Sequence, residues 1–360
     1  MNVRLKTRTT GFDILRIGLL LVVPLTLPAD LTSQVGATPD RSLSIIAVEG
    51  PKEKDVQAIA VGEGAAWLLT NDQLLRIDSG TGTISNLPTE RIKTWHLAFH
   101  NAAIGAGSLW VSGEAHKIKG VHRIDLHTGK IVASIPFHYR FGEVAFGEGF
   151  AWTLIRQETL ARIDPLSNQV SGTIDLGKGY MEVKFGNASV WTIGLESGTI
   201  KRIDPQLAKV AEEFSAGPAQ DTSILKSLFQ GGIYLFTAAD GMLWVANNKR
   251  MSNGKYVLSR FDPKTHERLS KIEADDAYGA PVIWNGALWL SGMGYLTKVN
   301  LETNHIAERV VLAASDDGRA VSGTLMTDGH TLWAVDTGSW AYSKVVISCI
   351  QAKVSDSGGN

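Results

Sequence analysis

One tryptophan recurs along this chain at a spacing that leaves few folds open. It stands at Trp67, Trp110, Trp152, Trp191, Trp244, Trp289 and Trp333, with gaps of 43, 42, 39, 53, 45 and 44 residues. A period of about 40–45 residues is long enough for four short strands joined by tight turns. Each unit opens with an alternating apolar stretch such as "VQAIAVG", then a turn such as "GEG" or "GAG", then the strand that holds the tryptophan. A third strand ends in "RID" at Arg76–Asp78, Arg123–Asp125, Arg162–Asp164 and Arg202–Asp204. The fifth copy is Arg260-Phe261-Asp262 and the sixth drifts to Lys298-Val299-Asn300, with Lys344 as the seventh basic residue. Period-2 alternation with Gly, Asn and Pro punctuation reads as strands throughout.

Seven four-stranded units predict an all-β, seven-bladed β-propeller. The last unit lacks a fourth strand before the polar tail at 351–360, whereas a spare strand, "RSLSIIAVEG", precedes the first unit. The N-terminal strand at about residues 43–48 is therefore expected to complete the last blade and close the ring, which removes an exposed edge. The tryptophan is expected to fill the wedge between blades. The Asp of "RID", followed by Pro in three copies, is expected to start a turn. The basic residue before it is expected to pair with an acid of the neighbouring blade.

Residues 1–37 read as a secretory signal peptide. Arg4, Lys6 and Arg8 precede "ILRIGLLLVVPLTLPA", whose apolar core of roughly a dozen residues is short for a membrane span. Small-residue cleavage patterns end at Ala29 and Ala37, and an uncleaved anchor is the alternative. The propeller then occupies 38–350, and the expected location is periplasmic or secreted, as a monomer without a membrane span after cleavage. The one cysteine, Cys349, lies in the apolar "KVVISCI" and reads as a buried small hydrophobe. A net charge of −1 without a basic block argues against nucleic acid, which needs concentrated positive charge.

The tandem "G-x-G-x-x-W … R-I-D-x-x-T-G-x-V/I" units resemble the YncE-like and streptogramin-lyase-like seven-bladed propellers over roughly Ser42 to Ile350. WD40 repeats match poorly, because no Gly-His…Trp-Asp pair recurs. The resemblance implies a secreted or periplasmic protein with its site at one mouth of the central channel. In the lyases it implies a "W-F-T-E" signature and a catalytic His and Glu with Mg²⁺. None of the seven tryptophan strands here carries W-F-T-E.

Residues that break the repeat mark the candidate site. Nine or ten positions before each tryptophan, blades two to four offer His100, Asn101, Glu143 and Glu182, while Gln57 and Tyr234 stand on other blades. Loops on the same face add His96, His138, Tyr139, Arg140, Arg156, Tyr180, Glu196, Tyr278 and Trp340. Glu143, Glu182, His100 and His138 are the candidates for acid–base chemistry, and Glu143 and Glu182 for a divalent cation, Mg²⁺ or Ca²⁺. A plainer reading pairs the two glutamates with Arg140, Arg156 or Lys178 at a wet rim. The insertion at 217–232 is a lid, a partner platform or decoration, and its "SILKSLF" suits one or two helical turns. The first functional reading is a non-enzymatic module that binds a small molecule or protein partner. The alternative is a metal-dependent lyase or lactone hydrolase.

Overall fold

A computed structural model of the chain describes residues 43–52, 55–94, 102–137, 141–194, 197–215, 234–248, 255–275, 277–292, 295–312, 323–336 and 344–352. Residues 1–37, read above as a signal peptide, and the 217–232 insertion lie outside the described residues. Twenty-eight strands form seven antiparallel sheets of four, and each inner strand packs on the inner strand of the next blade around a ring. Blades 1 to 6 span 58–88, 102–136, 141–175, 180–215, 234–275 and 277–311. In each the strands run outward in chain order. Blade 7 takes three strands from 323–352 and its outermost from Leu43–Lys52. That strand pairs with Lys344–Ala352 from Leu43↔Ala352 to Glu49↔Val346, so the expected closure occurs, and the strand runs past the expected Val48 to Lys52.

The tryptophan spacing works as a wedge. Seven apolar clusters each sit between two adjacent blades, and each repeat tryptophan enters the cluster shared with the following blade. Trp110, Trp152, Trp191, Trp244, Trp289 and Trp333 are fully buried. Burying an aromatic of this size contributes about 3 kcal/mol by area. The indole NH of Trp110 donates to Gly105 O at 3.0 Å and that of Trp191 to Gly186 O at 2.9 Å, so the polar handle is satisfied at the end of the inner strand.

The "GEG" motif makes two separate demands. Its middle and last residues turn the chain with left-handed backbones, φ 49° at Glu148 and 81° at Gly149. Two such residues in succession suit the hairpin turn that matches strand twist. The leading glycine is needed for contact instead. A Cβ on Gly105 would lie 2.0 Å from the Phe146 ring of blade 3, and one on Gly147 equally close to Phe185 of blade 4.

The third-strand Asp starts a turn as expected. Asp125 Oδ1 accepts from the backbone NH of Thr128 at 2.8 Å and from its hydroxyl at 2.8 Å. Asn300 does the same for Glu302 and Thr303 in blade 6. The expected arginine pairing is corrected. Arg123 donates to Pro165 O at 2.6 Å and to Asn168 Oδ1, and Arg162 donates to Pro205 O and Gln206 O. These partners are turn carbonyls and an amide of the next blade, not acids. The guanidinium of Arg123 also lies over the Trp110 ring, 5.1 Å from its centroid. Arg76 meets Asp78 and Arg202 meets Glu212, each an acid of its own blade.

Lys344 is likewise not the seventh equivalent of these arginines. The residue paired with Trp333 is Cys349, as Arg123 is paired with Trp110. Cys349 is buried, and its thiol donates to Ser79 O in blade 1 at 3.0 Å, beside Gln351 Nε2 on the same oxygen at 3.0 Å. Burial pushes the thiol up to about 12, so it stays protonated and unreactive at neutral pH.

Candidate functional site

The inner strand of a blade has a sheet partner on one side only. Its other edge faces the channel with NH groups that the ladder does not use. Glu143 in blade 3 and Glu182 in blade 4 stand at equivalent places, nine residues before Trp152 and Trp191. Both fall next to a register shift in the inner strand. A bulge of this kind re-aims a side chain.

Glu143 Oε2 accepts from the backbone NH of Val183 in blade 4 at 3.1 Å, which uses one of the edge donors. The same oxygen lies 3.6 Å from Lys184 Nζ, and the two side chains keep 16% and 24% of their surface accessible. Burial pushes the Glu143 carboxyl above the usual range, against the opposing pull of Lys184 and the Val183 NH. Burial alone would lower the Lys184 ammonium, but the carboxylates of Glu143 and Glu182 outweigh it and hold the pKa above the ordinary lysine value. Glu182 is 5% exposed, and its backbone carbonyl accepts from Thr192 Oγ1 at 2.7 Å. Its charge also reaches Tyr256 of blade 5, whose phenol is pushed up first by burial and then by Glu182. Glu143 thus holds the Lys184 ammonium, which also feels the charge of Glu182, at the wall of blades 3 and 4.

Lys184 is the residue that the sequence reading missed. Glu143 has Lys184 as its ion-pair partner, in place of Arg140, Arg156 or Lys178. A signal was present. Seven positions before the tryptophan, the other blades carry Ala60, Ala103, Ala145, Thr237, Val282 and Met326, and blade 4 carries Lys184. The repeat is broken there as sharply as at the glutamates.

The remaining candidates divide. Gln57 is buried and fixes the crossover into blade 2. Its side-chain oxygen accepts from Thr94 N at 3.3 Å and its backbone oxygen from Thr94 Oγ1 at 2.7 Å. Tyr180 is buried in the wedge between blades 3 and 4, with Lys201 Nζ 5.2 Å from its ring centroid. Burial pushes its phenol up. Arg156 is exposed in the blade 3 hairpin, with φ 56°, next to Gln157, whose carbonyl receives the Tyr180 NH at 3.0 Å. Tyr234 and Tyr278 begin inner strands opposite Asn247 and Ser291. His96, His100, Asn101, His138, Tyr139, Arg140, Glu196 and Trp340 lie outside the described residues. Among the described residues no three His, Cys, Asp or Glu side chains gather as a metal-binding group. No helix among them is long and apolar enough to cross a membrane.

Comparison with known proteins extends the fold but not the family. No family profile matches the chain. No curated protein matches it either. Solved structures do. The WD40 domain of coronin from Toxoplasma gondii superposes with a TM-score of 0.59 at 9% identity, over 90% of each chain. The computationally designed Ika8 protein gives 0.55 at 11% identity, over 82% of this chain and 96% of that one. BamB from Moraxella catarrhalis gives 0.51 at 12% identity, over 82% and 85%. At such identities the likeness is one of β-propeller architecture alone.

Proposed function

We propose that this propeller is a secreted or periplasmic, YncE-like binding module that takes a small molecule or a protein partner at its channel mouth without turning it over. The observation that carries the reading is Lys184. A divalent cation would be drawn to the place between Glu143 and Glu182, and this chain puts its own ammonium in the field of both carboxylates. What the wall then offers is a fixed acceptor beside a fixed donor, suited to orienting a polar group rather than activating water.

The test is thermal melting of the chain with Mg²⁺, with Ca²⁺ and with EDTA, for the parent and for Glu143→Ala/Glu182→Ala. A species that binds only the folded state raises the melting temperature by mass action. The expected result is one melting temperature in all three media. Lys184→Met, which removes the internal cation, is expected to gain a rise in Mg²⁺ or Ca²⁺ of a few degrees, about 1 kcal/mol. A cation-dependent rise in the parent that vanishes in the double glutamate variant would replace this reading with the metal-dependent lyase.

A further inference from the structure

Blade 2 has a distinct feature among the described residues. Its second strand, Ser108–Ala115, is the longest second strand among the described residues, and its third strand, Ile118–Asp125, matches it residue for residue. The described inner strand, Ala102–Gly105, pairs with the lower half of that ribbon. Beside its upper half the crossover from blade 1 pairs with the second strand. Lys93 N and O both bond to Glu114, at 2.9 and 2.8 Å. Ile92 and Thr94 on this crossover are buried, and Arg91 and Lys93 are exposed.

Register decides which side chains share a face. Lys93 pairs with Glu114, and Glu114 with Lys119, so these three form one rung. Arg91, two residues before Lys93, falls on the same face beside the His116-Lys117 turn, whose φ values of 50° and 66° set a tight hairpin tip. Ile118 pairs with Ala115, which is buried in the wedge toward blade 1. Arg91, Lys93, Lys117 and Lys119 are all exposed. Two acids temper them: Glu114 in the middle of the rung and Glu90, ion-paired to His116. With neighbouring strands ~5 Å apart and alternate residues ~7 Å apart, the four cations frame a patch of about 10 by 7 Å.

We propose that this ridge is a docking surface for an extended, acidic segment of a protein partner, with carboxylates at alternate positions. Alternate side chains of an extended chain recur at ~7 Å, the spacing of Arg91 and Lys93 along the crossover. Glu114 in the centre selects a partner that also brings donors, which backbone NH groups supply. A flat anionic lipid surface supplies none and would meet Glu114 and Glu90 with like charge. The ridge uses none of Glu143, Glu182 and Lys184, so its test is scored separately from the one at those residues.

A fluorescein-labelled decapeptide of alternating Glu and Ser, titrated with the full chain at low salt, reads the docking by anisotropy. Arg91→Ser/Lys93→Ser/Lys117→Ser/Lys119→Ser is expected to weaken binding about tenfold or more. Lys130→Ser/Lys209→Ser/Lys264→Ser/Arg268→Ser, with the same change in net charge, is expected to leave it within about twofold. Lys117→Asn/Lys119→Ser, gentler at the left-handed turn position, is expected to fall between the two and serves if the larger variant unfolds. No binding at about 1 mM, or equal weakening in ridge and control variants, would overturn the proposal. So would ridge-dependent adsorption to vesicles of phosphatidylglycerol and phosphatidylcholine without peptide binding.

Discussion

The seam between blades 2 and 3 and the seam between blades 7 and 1 do the same job with different chemistry. In the first, Arg123 lies over Trp110 and donates to the carbonyl that follows the turn Asp of the next blade, Pro165 O. In the second, Cys349 occupies the place opposite Trp333, and the carbonyl that follows Asp78 is held by a thiol and the Gln351 amide. The bond joins residues 42 apart in one seam and 272 apart in the other. Loop-closure entropy grows as the logarithm of that separation, so the closing seam costs on the order of 1.6 kcal/mol more to form. What both seams keep is the wedge tryptophan and a donor to one carbonyl. The donor's charge is dispensable, and its position is not.

Four substitutions test that comparison, beginning with what the seams share. Trp110→Ala should cost about 3–5 kcal/mol in urea unfolding, as large-to-small changes at buried aromatics do. A cost near 1 kcal/mol would mean that the wedge collapses and that the tryptophan is not the keystone of its seam. Next is the donor. Arg123→Met should cost about 1–2 kcal/mol through its lost bonds and ring contact, and Gln351→Leu about 1 kcal/mol. If Gln351→Leu costs nothing, the thiol alone latches the ring, and Cys349→Ala would then carry the loss. The smallest effect is expected at the turn. Asp125→Asn keeps the acceptor, as Asn300 does in blade 6, and should leave neutral-pH stability within about 0.5 kcal/mol. Its signature lies in pH. The hydroxyl and NH of Thr128 hold the Asp125 carboxyl below its ordinary value of 3.8. A depressed acid contributes stability that is present above its unfolded pKa and lost as pH falls through the folded one. The variant should therefore unfold less steeply than the parent below about pH 4.

The ring was legible because its signal is periodic. Seven tryptophans, six basic–apolar–Asp/Asn triplets and one spare strand suffice for seven blades and the strand that closes them. Partners across a seam were not legible, because a period along the chain is silent about what the next blade presents. Arg123 was expected to meet an acid and meets Pro165 O instead. The seventh basic position was assigned to Lys344 by composition, whereas strand register puts Cys349 there. The glutamates at the channel wall were found as breaks in the repeat, yet Lys184 broke it two positions further on and was passed over. An uncompensated buried charge is costly, so a buried carboxylate implies a partner. The alternation of a strand places that partner two residues along as readily as in a loop.

The outermost strand of blade 7 also fixes an order of events during synthesis. Leu43–Lys52 leaves the ribosome ahead of every blade, and the strand it pairs with, Lys344–Ala352, is made after all of them. Six blades can assemble as they emerge, each against its predecessor. The first-made strand must wait, with Ile46 and Val48 uncovered, until the last has appeared. Closure is therefore the last step in assembling the ring, and the interval before it is when the propeller is most open to chaperones and to aggregation.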